Sequence, residues 1–191
     1  MMTIKHSVLT LLAGTVALSA CAHGPDPASR PAAGAPPITR DAVVAAQTAW
    51  CAALVGIGAE HAAGRDAKVM AKQVLSTAYG YGQGMVLFKP TLTHGAQTFR
   101  MDEQGALAYF VGGDPAYPDD GGFALKGWST CTPEPKGVVA EGDMAVAMGN
   151  VHLVGQDGSK GMVDKSFGYR RNAKGELVIV LHHSSLPYSP K

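Results

Sequence analysis

The run Leu177-Val178-Ile179-Val180-Leu181-His182-His183-Ser184-Ser185-Leu186-Pro187-Tyr188 constrains this chain more than any other stretch. Its first five residues are aliphatic and rich in β-branched side chains, which predicts a strand buried on both faces. Two histidines and two serines then stand where a core prefers aliphatics. Pro187 has no amide hydrogen, so it ends the ladder or lies at its edge. Side chains alternate along a strand, so His182 and Ser184 share one face while His183 and Ser185 share the other. One face therefore presents an imidazole beside a hydroxyl in an apolar wall. Satisfied polar groups at a subunit contact would produce the same pattern.

The chain begins with a segment that does not belong to the fold. Lys5 and His6 precede an apolar run from Val8 to Leu18 that is too short to span a bilayer. Residues 1–20 are therefore expected to be a signal peptide. Leu18-Ser19-Ala20-Cys21 is similar to a bacterial lipobox, which makes Cys21 the expected lipidation site; the alternative is an ordinary secretory signal cut nearby. Ala22 rather than Asp after the cysteine resembles outer-membrane sorting. The expected location is the envelope of a Gram-negative-type bacterium, either as an outer-membrane lipoprotein facing the periplasm or free in the periplasm. Residues 21–38 then form a tether, with prolines at 25, 27, 31, 36 and 37 among Ala, Gly and Ser. Such a segment buries too little apolar surface to offset its ordering entropy. Extended at about 3.1 Å per residue, it reaches roughly 50 Å from an anchor.

Residues 39–191 are enough for one domain with a substantial core. The whole chain has 16 basic and 15 acidic residues, and loss of Lys5 leaves the two signs equal. A neutral domain without basic clusters gives no reason to expect nucleic acid, or a membrane contact other than the lipid anchor. With Cys21 lipidated, Cys51 and Cys131 remain. They are either a disulfide closing a loop of about 80 residues, worth about 4 kcal/mol in the chain-entropy model, or two buried thiols.

Two helices open the domain. Thr39 or Asp41 caps a stripe of Val43, Val44, Ala46, Trp50, Leu54, Val55 and Ile57. Asp66 opens a second segment that closes at Tyr79-Gly80-Tyr81-Gly82. Strand-like patterns follow at 85–88, 106–111, 144–154, 163–169 and 177–185, separated by Gly- and Asp-rich turns. The expected architecture is α+β, with the N-terminal helices packed on a strongly curved antiparallel sheet whose concave face holds a pocket.

The segment Val178 to Pro187, preceded by Phe167-Gly168-Tyr169-Arg170, closely resembles the C-terminal signature of the iota-class carbonic anhydrases. Val86-Leu87-Phe88-Lys89-Pro90-Thr91 and Gly105-Ala106-Leu107-Ala108-Tyr109-Phe110 match the same family, and together the matches cover nearly all of residues 76–188. The resemblance implies a cone-shaped NTF2-like fold, usually a homodimer, and the reversible hydration of carbon dioxide to bicarbonate. It also implies a pocket lined by a threonine, a tyrosine, a histidine and a serine, which here fall on Thr91, Tyr109, His182 and Ser184. His183 and Ser185 are secondary pocket candidates. His182 is the expected proton acceptor, with the three hydroxyls orienting water and donating to the emerging oxyanion.

No cofactor is expected. Zinc or manganese is the alternative, because the resemblance extends to family members described as metal-dependent, although zinc catalysis usually uses three protein ligands and an open position. His182 and His183 point to opposite faces, and His23, His61, His94 and His152 show no ligand spacing. Other functions that the fold permits are a non-catalytic module for small-ligand binding or dimerisation and, less readily, a nucleotide cyclohydrolase.

Overall fold

The computed structural model describes residues 36–190. The expected signal peptide, the lipobox cysteine Cys21 and most of the tether lie outside the described residues. Helix α1, Arg40–Ala62, starts at Thr39, whose hydroxyl accepts from the Ala42 amide, and buries Val43, Trp50, Leu54 and Ile57 along one face. Asp66 caps α2, Ala67–Ala78, by accepting from the Lys68 amide. A single 3₁₀ turn, Gly80–Gln83, leads into the short strand β1, Leu87–Lys89.

The segment 106–111, expected as a strand, is instead the core of helix α3, Glu103–Val111. Asp102 caps its start by accepting from the Gly105 amide at 2.7 Å, and Gly112, at φ 63°, closes its end. Ala106 through Phe110 are all buried. A helix apolar all round shows no 3.6-residue stripe, so the alternation of small and large residues imitates a strand. The fifth strand comes from a stretch without a strand signal: β2, Trp128–Glu141. Pro133 and Pro135 interrupt it, and it tolerates them because it lies at the sheet edge.

Strands β3, Met144–Gly155, β4, Lys160–Arg171, and β5, Leu177–Ser185, complete a sheet in the order β1-β5-β4-β3-β2. The pairs from β2 to β5 are antiparallel, whereas β1 runs parallel to β5, so the sheet is mixed at one edge. The three helices cover one face, and Trp50, Leu54, Leu75, Phe88, Phe110, Val151 and Phe167 are among the buried residues of that core. Cys51 of α1 and Cys131 of β2 form a disulfide with Cα atoms 5.1 Å apart, pinning the first helix to the far edge of the sheet.

Strand β5 carries a bulge that decides which side chains face inward. Tyr169 pairs with Ile179, yet the next residue on β4, Gly168, pairs with Leu181, leaving Val180 as the extra residue. Cross-strand partners share a face, as do Phe167 and Tyr169. The bulge therefore puts Ile179 and His182, three positions apart, on the same inner face. Without it, alternation from Ile179 would have turned His183 inward.

Candidate active site

His182 sits at the centre of the core with 1 % of its surface exposed. Its ring stacks between Phe88 and Phe167, each with centroids 4.6 Å away, and meets the edge of Trp50. Both ring nitrogens are engaged. Nδ1 lies 2.8 Å from the Tyr79 hydroxyl, which also accepts from the Trp50 indole N–H at 2.9 Å. Nε2 lies 2.7 Å from Nζ of Lys165. Burial, followed by the Lys165 charge, holds the imidazole well below its ordinary pKa, so the ring is neutral near pH 7. With both nitrogens occupied, neither is open to a water in a pocket.

Ser184, two residues further along the same face, is fully buried. Its hydroxyl lies 2.6 Å from that of Thr91, on the loop after β1, where either oxygen can donate. Lys89 donates to the Ser184 carbonyl at 2.9 Å and fixes the backbone there. Tyr109, on α3, packs its ring edge-on to Phe88 and stacks on Phe123. Its buried hydroxyl makes no hydrogen bond of good geometry among the described residues. Burial pushes this phenol up to about 12, partly offset by the Thr91 hydroxyl and by the nearby backbone amides of Leu92 and Thr91. Tyr109 is therefore a protonated, unspent donor aimed at the Thr91 end of the cluster. A cavity of about 200 Å³, lined by Leu92, Tyr109, Asp119, Asp120, Phe123 and Lys126 with two glycines, adjoins it.

The four principal candidates thus fall into two adjoining groups: hydroxyls from Thr91, Ser184 and Tyr109, and the imidazole of His182 set in aromatic rings. His183 is exposed on the opposite face beside Lys89 and Ser166, and Ser185 is half-buried there, so neither lines the inner pocket. Among the described residues no three His, Cys, Asp or Glu side chains come together. Sequence reasoning missed Lys165 and Tyr79. Lys165 was detectable, because it occupies the inward parity of Val163, Phe167 and Tyr169 on β4, where a charge is out of place. Tyr79 had no such signal, since it falls at a helix end where its partner is 103 residues away.

The model of the family described as metal-independent carbonic anhydrase matches residues 41–186. A curated metal-independent carbonic anhydrase of Nostoc sp. is 46 % identical over 153 residues, covering 79 % of this chain and 75 % of its own length. A crystal structure of a cyanobacterial iota-carbonic anhydrase complexed with bicarbonate is 44 % identical and superposes with a TM-score of 0.79, over 81 % of this chain and 95 % of that one. A putative calcium/calmodulin-dependent protein kinase II association domain from Xanthomonas campestris shares the fold, with a TM-score of 0.52 at 20 % identity over 78 % of this chain and 87 % of its own. A match running from the first turn of α1 to the last strand, joined to nearly half-identical sequence, shows that the chain belongs to the metal-independent, iota-class family of carbonic anhydrases, which are carbonate dehydratases.

Proposed function

We propose that the reversible hydration of carbon dioxide takes place at the hydroxyl pair Thr91–Ser184 beneath Tyr109, with no metal taking part. The observation that supports this most is the buried 2.6 Å bond between two hydroxyls 93 residues apart in sequence. Full transfer of a proton from water to an imidazole of ordinary pKa would cost about 12 kcal/mol, and His182 is a weaker base still. A concerted route avoids that intermediate. Water attacks the carbon as one of its protons passes to the paired hydroxyls, which give a proton to a carbon dioxide oxygen. The C–O bond forms, one C=O π bond becomes a lone pair that takes the proton, and carbonic acid results. It then releases a proton to solvent and leaves as bicarbonate.

In this reading Tyr109 donates to the oxygen that gains charge, helped by the nearby amides of Thr91 and Leu92. His182 is the rigid wall behind the pair rather than the proton acceptor expected from the sequence. Stopped-flow hydration by chelator-treated protein tests the metal-free reading. Activity should survive unchanged. Its loss on chelation with recovery on added zinc or manganese would contradict the reading.

The chain is further proposed to act as a lipidated homodimer in the cell envelope. Support comes from the lipobox at Cys21 and from the exposed apolar side chains Val139, Val146 and Met148 on the outer sheet face.

A further inference from the structure

Lys165 is a buried lysine with no carboxylate partner among the described residues. It is 5 % exposed, its Nζ lies 4.4 Å from the Trp50 ring centroid and 5.9 Å from that of Phe167, and its hydrogen-bonded partner is Nε2 of His182. An ammonium has three donors and no acceptor, whereas an amine also accepts. The ammonium therefore fixes one tautomer of His182, whereas the amine allows both. Facing an ammonium, Nε2 must accept, so the ring hydrogen is on Nδ1 and donates to the Tyr79 oxygen. Facing an amine, which can donate or accept, Nε2–H is free to donate to Nζ. This tautomer is favoured because Nδ1 then accepts from the Tyr79 hydroxyl, whose oxygen already accepts from Trp50. Tyr79 takes part in both states, because burial raises its pKa well above the ordinary value and keeps it a phenol. Its oxygen accepts from Nδ1–H in the first, and its hydroxyl donates to Nδ1 in the second.

Lys165 is also next to the reaction site. It lies directly opposite Ser184 in the β4–β5 register, on the same face. We propose that Lys165 is a positioning residue of the carbon dioxide site, whose ammonium form favours the bicarbonate anion at the neighbouring hydroxyl pair and whose amine form favours its release, each form favouring its own tautomer of His182. The proposal rests on placing the reaction at Thr91 and Ser184. It adds no net proton: the proton on Lys165 comes from solvent and returns there.

The surroundings leave Lys165 to titrate near neutrality. Burial lowers it to about 7. Facing it are His182 from β5, the indole of Trp50 from α1 and, across β3, the backbone of Gly149. His183 and Lys89 lie on the other side of β5, and Asp164 is paired with Asn150, so no carboxylate among the described residues pins the ammonium. An anion held at the Thr91–Ser184 pair would share this face and its dry surroundings with the ammonium, an attraction worth about tenfold in affinity. By reciprocity bicarbonate must move the titration of Lys165 upward by about one pH unit.

The test is a ¹⁵N NMR titration of the His182 ring in the mature protein, with saturating sodium bicarbonate against sodium chloride. In chloride the ring hydrogen should move from Nδ1 to Nε2 as pH rises through neutrality, and bicarbonate should shift that midpoint upward by about one unit. Lys165→Arg, charged throughout, should hold Nδ1–H at every pH and bind bicarbonate without the loss of affinity at high pH. Lys165→Met should show no transition. A purely structural lysine would leave the wild-type tautomer fixed across the range, and that result would overturn the proposal. So would a transition that persists in Lys165→Met, or a midpoint indifferent to bicarbonate. If Lys165→Met fails to fold, the wild-type titration and the arginine variant still decide. An active Thr91→Val enzyme would instead overturn the placement of the reaction while leaving the tautomer switch observable.

Discussion

Each side chain in the wall of this site is held by something whose loss can be measured. His182 is stacked on two phenylalanines and bonded at both nitrogens. His182→Ala opens a cavity and strips Tyr79 and Lys165 of a partner, so it should destabilise the fold by about 3 kcal/mol. His183→Ala, on the exposed face, should change stability by less than about 0.5 kcal/mol. Urea melts of the two variants check the ranking, and equal losses would contradict it. Lys165 makes a separate prediction. Its folded pKa of about 7 lies below the unfolded value of about 10.4. Between those values the unfolded chain binds the additional proton, so stability rises with pH across that window and is lowest below it. The slope is at most about 1.4 kcal/mol per pH unit. Melts of wild type and Lys165→Met should differ by that slope between about pH 7.5 and about 9.5. Parallel curves would mean that the buried amine does not titrate there.

At the scale of elements, the bulge in β5 and the glycine opposite it are coupled. A Cβ on Gly168 would lie 2.9 Å from the Cβ of Leu181, the residue just past the bulge. Gly168→Ala must push β5 away and should cost about 1–3 kcal/mol, with a fall in turnover because Ser184 moves relative to Thr91. Thermal melts and stopped-flow rates on this variant check both effects. Strand β5 was legible in the sequence to its bounds, and so was the sharing of one face by His182 and Ser184, because local alternation survives a bulge upstream of them. The inward direction was not legible, since it depends on the register with β4. Residues 106–111 misled because full burial erases helical periodicity, and β2 was hidden because prolines mark an edge strand and a loop alike. Lys165 had a parity signal and Tyr79 had none. What escaped the sequence was the long-range pairing that makes these residues partners.

On the scale of the whole molecule, the Cys51–Cys131 bridge closes a loop of 80 residues between α1 and the sheet edge. Its removal in a Cys51→Ala, Cys131→Ala double variant should cost about 4 kcal/mol, read as a lower urea midpoint. Alkylation of unreduced wild type should add no mass at either cysteine. The family assignment sets aside the binding-module and cyclohydrolase alternatives, and leaves assembly as the larger question. If the outer face seats a second copy, Met148→Glu should halve the mass measured by light scattering while the circular dichroism spectrum stays the same. A double-mutant cycle shows whether the two hydroxyls act as one unit without metal. Carbon dioxide hydration would be followed by stopped flow for wild type, Thr91→Val, Ser184→Ala and the double variant, all freed of metal. Each single change should lower turnover by about two to three orders of magnitude, as for loss of one preorganised donor. The double change should cost little more, because groups that act together are non-additive. Separate losses of about tenfold that multiply, as changes to residues supporting a metal's ligands do, and that recover on adding zinc, would show instead that a metal carries the reaction.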